Sequence, residues 1–180
     1  MSSQPAGRYD AVAMSFHWGM ALIILGLWGM GHVIGALPRG PERSELIGLH
    51  TTLGGLIFVL TLARLAWRRL RRPPRALPTA TPFERMGAAL VHAVLYGLML
   101  ALPLVGVLMA ESGGHAVTLF GFHVPLLVEP DEGLHELFEF EHQALGWMLA
   151  VALLAHVGAA LRHHLVQKDD TLRRMLPGRG

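Results

Sequence analysis

The chain has 180 residues, of which 52% are hydrophobic and only 16% are charged, and its formal net charge is +2. A soluble domain of this length needs more polar surface, so the composition favours a protein embedded in a membrane. The sequence contains no cysteine, which excludes disulfide bonds, cysteine-ligated iron–sulfur clusters and covalently attached c-type haem.

Four long apolar segments predict an all-α fold, a transmembrane four-helix bundle that forms a single domain over residues 1–180. Each segment has a central stretch without Asp, Glu, Lys or Arg. Each is long enough to cross about 30 Å of hydrocarbon at a rise of about 1.5 Å per residue. The predicted spans cover about residues 15–37, 46–67, 86–110 and 141–163.

The segments between the spans are predicted to be turns and loops. Pro38, Gly40 and Pro41 predict a tight turn after the first span, and the prolines of residues 71–82 predict a stiff link before the third. The apolar stretch 117–128 is too short to span the bilayer. We expect it to lie at the membrane interface or to re-enter the membrane.

The charges are distributed unequally between the two sides of the predicted bundle. Thirteen of the 15 Lys and Arg residues lie at the two termini and between the second and third spans, and only Arg39 and Arg43 lie on the other side. The positive-inside rule therefore predicts that both termini are cytoplasmic. The same rule accounts for the arginine cluster, so we do not expect nucleic acid as a partner. The second outer loop is acidic, with Glu111, Glu129, Asp131, Glu132, Glu136, Glu139 and Glu141.

Histidine is the unusual residue within the spans, because an ionisable side chain there is costly and usually functional. His17 and His92 lie near the predicted inner ends of the first and third spans, and His50 and His142 lie near the outer ends of the other two. His142 and His156 are separated by about 21 Å along one helix and share nearly the same face. The fourth helix thus presents imidazoles at two depths.

Two depths of histidine predict two b-type haems, since each needs two axial imidazoles from different helices. At the outer level, His50 can face His142. At the inner level, His156 can face either His17 or His92, and the spacing leaves both pairings open.

Other residues near these histidines also suit haem. Gly54 and Gly146, each four residues after a histidine, leave room for a macrocycle on the ligand's face. Arg64 lies on the face of His50 at inner depth and is predicted to pair with a propionate of the inner haem. His32 is expected to be an interhelical hydrogen-bond partner. His163 could serve a quinone headgroup or a propionate, or could simply be solvated.

The histidines of the spans occur in recognisable motifs, namely Phe16-His17-Trp18, Gly48-Leu49-His50 with Arg64, His92, Glu141-His142-Gln143-Ala144-Leu145-Gly146 and Leu154-Ala155-His156. These motifs resemble those of the bacterial cytochrome b561 family, and the resemblance extends over nearly the whole chain. The C-terminal segment from His163 to Pro177 is also similar to the end of that family's sequences.

The resemblance implies a dihaem cytochrome of the bacterial inner membrane, with His17 paired with His156 and His50 paired with His142. It implies electron exchange with ubiquinone and, in one branch of the family, oxidation of superoxide at the outer face. His92 and His163 match family histidines near the inner haem and become candidates for the quinone site.

The expected function is therefore an oxidoreductase that carries electrons from a periplasmic donor, with superoxide as the leading expectation, to ubiquinone. The acidic outer loop departs from this expectation, because a small anion is steered by positive charge, and it would suit a cationic protein donor. One alternative is a haem-binding anchor or electron-transfer subunit for a periplasmic redox protein. Another is a histidine-lined proton or metal transporter without haem, although the spans contain no carboxylate to partner a cation.

Overall fold

The structure, a computed structural model, describes residues 7–176 and consists mainly of four long helices. They confirm the predicted mainly helical architecture with four long helices, and all four are long and apolar enough to cross a membrane. Arg179, counted among the cytoplasmic charges, and Pro177, part of the C-terminal motif, lie outside the described residues. The helices are α1 (Ala11–Ala36), α2 (Pro41–Leu70), α3 (Pro82–Ser112) and α4 (Glu132–Arg162).

Both termini of the described chain lie at one end of the bundle, which we call the terminal end. The Tyr9 amide donates a hydrogen bond to the Arg174 carbonyl there. The opposite end, called the loop end, carries the α1–α2 turn and the α3–α4 connection. That connection includes a short hairpin, β1 (Thr118–Leu119) and β2 (Phe122–His123).

The hairpin accounts for the short apolar stretch 117–128, which does not form a span. Phe120 and Gly121 at its tip both have positive φ angles, 53° and 83°. This is the backbone of a tight two-residue hairpin turn, and it favours glycine. The side chain of Leu119 lies against Gly55 of α2, where an added Cβ would approach it to 3.0 Å. The hairpin therefore covers α2 close to His50.

The helices extend beyond the predicted spans because polar residues cap them outside the apolar segments. The side chain of Asp10 accepts a hydrogen bond from the Ala13 amide, and Thr81 and Glu84 form a reciprocal capping box at the start of α3. Asp131 caps α4, which begins at Glu132. Most of the acidic residues between 129 and 141 therefore lie in the helix itself and not in a loop before it. Hydrophobicity marks the part of a helix that lies in lipid, whereas caps mark its ends.

An apolar core occupies the middle of the bundle, between the two levels of histidine. The polar group of Thr61 within it is satisfied, because its hydroxyl donates to the Ile57 carbonyl at 2.7 Å. Large apolar side chains on the outer faces are exposed, as expected of helices surrounded by lipid. The core residues are Met20, Ile24, Ile57, Leu95, Leu98, Met99, Leu149 and Ala152.

The C-terminal tail is fixed across the terminal end by hydrogen bonds to backbone carbonyls. Arg174 is only 7% exposed, and its guanidinium donates to the carbonyls of Gly7 and Arg75. The indole of Trp18 donates to the Met175 carbonyl at 2.8 Å. The tail thereby joins the start of α1 to the α2–α3 link.

We expect Asp10→Ala to destabilise the bundle, because it removes the cap of α1 and the acceptor for the Trp67 indole. Loss of a helix cap costs about 1 kcal/mol, measurable as a lower midpoint of thermal unfolding in detergent by circular dichroism. Asp10→Asn is the control, since it keeps an oxygen acceptor. Equal loss in both variants would contradict the capping role.

The same residue gives a pH dependence whose direction follows from its hydrogen bonds. The bond from the Ala13 amide is the main cause that lowers the pKa of Asp10 below its ordinary value of 3.8. A carboxyl with a lowered folded-state pKa stabilises the fold above that ordinary value and loses the contribution as pH falls through the folded-state pKa. The difference between wild type and Asp10→Ala should therefore shrink only below about pH 3.8.

Candidate functional site: two histidine levels in the bundle

The loop-end level pairs His50 of α2 with His142 of α4. Their ring centres are 6.2 Å apart and the ring planes are inclined by 65°. Within the described residues the Nδ1 atom of His50 is buried without a hydrogen-bond partner. A buried polar atom without a partner is costly and calls for an explanation. Two different helices thus hold the imidazoles close together, with their ring planes inclined to each other.

The terminal-end level brings together three histidines, from α1, α3 and α4. The ring centre of His156 is 5.9 Å from that of His17 and 5.2 Å from that of His92. Both pairings left open by the sequence are therefore present as contacts. Along α4, His142 and His156 are separated by about 21 Å, with the apolar core between the two levels.

The ring separations can be compared with what one shared iron requires. An imidazole nitrogen lies about 2 Å from a metal ion that it binds and roughly 1 Å from its ring centre, so two opposed rings have centres roughly 6 Å apart. The ring centres of His50 and His142, and those of His17 and His156, have about this separation. The ring centres of His92 and His156 are closer together than this. The residues present therefore fit two bis-histidine haem sites.

Glycines make room around the loop-end rings. An added Cβ at Gly106 of α3 would lie 3.2 Å from Cε1 of His142, and one at Gly31 of α1 would lie 3.8 Å from Cε1 of His50. The predicted Gly54 and Gly146 have open space where a Cβ would be. Gly106 and Gly31 were missed by the sequence reasoning, because their contacts are to neighbouring helices and leave no spacing signal.

Arg64 is partly buried at the terminal-end level, beside His17. Its guanidinium donates to Nδ1 of His17 at 3.1 Å and lies 5.8 Å from the centre of the Tyr96 ring. No Asp or Glu within residues 7–176 forms an ion pair with it. A buried cation is costly without an anion, so this site suits an anionic ligand group.

A cavity next to Arg64 offers space for such a group. It has a volume of about 520 Å³ and opens between the start of α1 and the end of α2. A histidine that binds iron through Nε2 carries its proton on Nδ1 and cannot accept a hydrogen bond there. If His17 binds iron in this way, Arg64 is released toward the cavity. The lining includes Tyr9, Trp67, Arg68, Arg71, Arg72 and Tyr96.

The remaining histidines have other surroundings. His32 contacts aromatic rings, with its centre 4.3 Å from Trp28 and 5.6 Å from Trp147, so its interhelical contact is aromatic and not the expected hydrogen bond. His163 lies at the end of α4, where its Nδ1 is 2.6 Å from Oδ2 of Asp169. His163 is therefore neither isolated nor simply solvated.

The loop-end surface is acidic, although two of the seven acids assigned to it are not exposed, Glu141 being partly buried and Glu111 fully buried. Glu111 is the last residue but one of α3 and is 2% exposed, with its carboxylate accepting from the Leu127 amide at 2.8 Å. It therefore anchors the connection and adds little to the surface. Its buried carboxylate lies within α3, one residue beyond the predicted third span of 86–110. The exposed acids are Glu129, Asp131, Glu132, Glu136 and Glu139.

Comparisons with known proteins identify the family to which the chain is similar. A family model described as prokaryotic cytochrome b561 matches residues 8–178. Cytochrome b561 homolog 2 of Escherichia coli is 32% identical over 177 residues, covering 94% of this chain and 91% of the relative. Homolog 1 of the same organism is 30% identical, covering 96% and 98%. A Yersinia pestis protein described as a probable superoxide oxidase, CybB, is 28% identical, covering 94% and 96%.

We expect Gly106→Val to displace the ring of His142, because even its Cβ would lie 3.2 Å from Cε1, and valine adds two methyl groups beyond that Cβ. The expected result is a loss of about half of the bound haem, measured by the pyridine adduct after purification. Gly97→Val is the matched control on α3, since an added Cβ there meets nothing within 4 Å. Unchanged haem content in Gly106→Val would contradict this packing.

Proposed function

The chain belongs to the prokaryotic cytochrome b561 family, and we propose that it is a dihaem cytochrome that carries electrons from a donor at the loop end to ubiquinone. As a member of that family, it is a multi-pass bacterial membrane protein that binds haem b and transfers electrons. The observation that carries the finer proposal is the presence of two opposed histidine pairs, 6.2 and 5.9 Å apart, at two depths.

The proposed axial ligands are His50 with His142 and His17 with His156. The family resemblance and the ring separations both support His17 over His92 at the terminal-end level. When bound, two haems supply one-electron carriers at two depths of the membrane. Arg64 is proposed to bind a propionate of the terminal-end haem, which would neutralise its buried charge. His92 and His163 remain candidates for the quinone site.

The proposed orientation places the terminal end in the cytoplasm and the loop end in the periplasm. Within the described residues, the arginines of residues 64–85 and Arg173 and Arg174 of the C-terminal tail lie at the terminal end, whereas the loop end has only Arg39 and Arg43. This asymmetry follows the positive-inside rule for a protein of the bacterial inner membrane. The donor would then meet the loop-end haem site, and ubiquinone would be reduced near the terminal end.

Superoxide is the proposed donor, supported by the similarity to the Yersinia pestis protein described as a probable superoxide oxidase. Two superoxide ions would be oxidised to dioxygen while one ubiquinone takes up two electrons and two protons. Membership of a haem b family argues against the haem-free transporter. The exposed acids of the loop end favour a second candidate, an electron-transfer subunit for a cationic periplasmic protein.

Turnover with superoxide and a short-chain ubiquinone tests the proposed function. We expect ubiquinol to form with two superoxide ions consumed for each quinone, and the rate to rise with salt, because salt screens repulsion between superoxide and the acidic surface. Slow reduction by superoxide, with fast reduction by a cationic redox protein that falls with salt, would instead support the subunit alternative.

Single histidine variants test the ligand assignment. We expect His50→Ala and His142→Ala to lose one low-spin haem, and His17→Ala and His156→Ala to lose the other, measured by haem-to-protein ratio and resonance Raman spectra. His92→Ala should keep both haems, as should the control His32→Ala. Loss of a haem in His92→Ala with retention of both in His17→Ala would reverse the terminal-end assignment.

A further inference from the structure

The end of α4 folds back onto its last histidines through an unusual turn. Residues His163–Gln167 form a π-helical turn that stops at Lys168, whose φ angle of 54° is left-handed. The Asp169 amide then donates to the His163 carbonyl at 3.1 Å. π-helical turns and left-handed non-glycine residues are costly and occur often at functional sites. Here they bring the Asp169 side chain onto the imidazole of its own helix.

The resulting pair is enclosed and oriented. Nδ1 of His163 lies 2.6 Å from Oδ2 of Asp169, and both side chains are only 14% exposed. The second carboxylate oxygen, Oδ1, accepts from the Thr171 amide at 2.8 Å. Both oxygens of Asp169 are therefore used, and the carboxylate cannot rotate without losing a hydrogen bond.

The protonation of Asp169 fixes the direction of the hydrogen bond. Burial raises the pKa of Asp169, but the hydrogen bonds from His163 and Thr171 outweigh it and hold the pKa below 3.8. An ionised carboxylate only accepts hydrogen bonds, so Nδ1 of His163 must carry the proton that it donates. Nε2 is then the nitrogen left to meet another group.

The turn is also held from the neighbouring helix. The carboxylate of Glu84 in α3 accepts a hydrogen bond from Arg162, just before His163, at 3.0 Å. It accepts another from Gln167, the last residue of the π-helical turn, at 2.6 Å. His163 follows His156 by seven residues, about 10 Å along the helix and on nearly the same face. It thus lies between the terminal-end histidine level and the surface of the bundle.

Resting on the proposed reduction of ubiquinone near the terminal end, we propose that Asp169 is a positioning residue that orients His163 as the proton donor to the quinone. Asp169 holds Nδ1–H of His163 and so presents Nε2 to the quinone carbonyl. Nε2 first takes up a proton from cytoplasmic water, which gives an imidazolium that the Asp169 carboxylate stabilises through Nδ1–H. In each transfer the Nε2–H bond then breaks as an O–H bond forms on the quinone, and Nε2 is free to be protonated again. The two electrons that balance two such transfers come from two superoxide ions.

Asp169→Asn tests the proposal with little risk to the fold, because the amide oxygen can still accept from Thr171. Its NH₂ group, however, would donate to Nδ1 of His163, which keeps the ring as the neutral Nε2–H tautomer, and no carboxylate would remain to stabilise the imidazolium that gives up the proton. General acid–base groups contribute roughly 10²- to 10⁴-fold, so we expect kcat for quinone reduction to fall at least 10-fold, with KM for quinone little changed. Haem reduction by superoxide without quinone should be unchanged.

Asp170→Asn is the matched control. Its carboxylate is 63% exposed and lies 3.5 Å from Arg173, so it forms only a surface ion pair. We expect its quinone kinetics to stay within twofold of wild type. An equal loss in Asp169→Asn and Asp170→Asn would indicate a general effect of charge and would overturn the proposal.

A second readout does not depend on turnover. In protein labelled with ¹⁵N-histidine and free of quinone, the signals of His163 can be assigned by their loss in His163→Gln. We expect a ring protonated at Nδ1 in wild type and in Asp170→Asn, and at Nε2 in Asp169→Asn. An unchanged tautomer in Asp169→Asn would overturn the positioning role.

The outcomes separate this inference from the function on which it rests. Wild-type protein that reduces no quinone would contradict the proposed function and this role together. Wild-type protein that reduces quinone no faster than Asp169→Asn would overturn the role of Asp169 alone.

Discussion

The main physical constraint on this structure is the unfavourable free energy of burying imidazole rings in hydrocarbon. A polar ring within a membrane-spanning bundle destabilises the fold unless another group uses its nitrogens. Here five such rings lie in two levels, and an apolar core separates the levels along the helices. This arrangement concentrates the polar groups where a metal-bearing planar ligand could satisfy them in pairs. The same constraint explains why Gly106 and Gly31 stand next to the rings.

Charge adds a second constraint that distinguishes the two ends of the bundle. At the terminal end, Arg64 is partly buried beside His17 and next to a cavity rich in arginine. At the loop end, the exposed charged side chains of the α3–α4 connection and of the first turns of α4 are acidic. An anion held inside the bundle is favoured at the first site, whereas a small anion arriving from solvent is repelled at the second. Haem propionates therefore suit the terminal-end site beside Arg64, and a cationic partner suits the acidic loop end.

The number of helices and the depth of each histidine could be predicted, because apolar length and helical periodicity are properties of single segments. The fourteen-residue spacing of His142 and His156 predicts that both lie on one face of α4, and in the structure each ring contacts a histidine of another helix. The choice between His17 and His92 could not be made from spacing, since depth and face do not say which neighbouring helix comes closest. For the same reason, the contact of Gly106 with His142, the burial of Glu111 and the start of α4 at its polar cap could not be predicted from spacing. The contact between Asp169 and His163 was hidden because a π-helical turn and a left-handed residue are not signalled by hydrophobic pattern.

The haem-to-protein ratio of the purified wild-type protein, together with its reduced-minus-oxidised absorption spectrum, tests the central claim most directly. Two opposed histidine pairs predict a ratio near two and sharp bands of low-spin haem b. A ratio near one would leave one of the two histidine levels without its proposed ligand. A protein without haem, after expression with an ample haem supply, would contradict the account altogether.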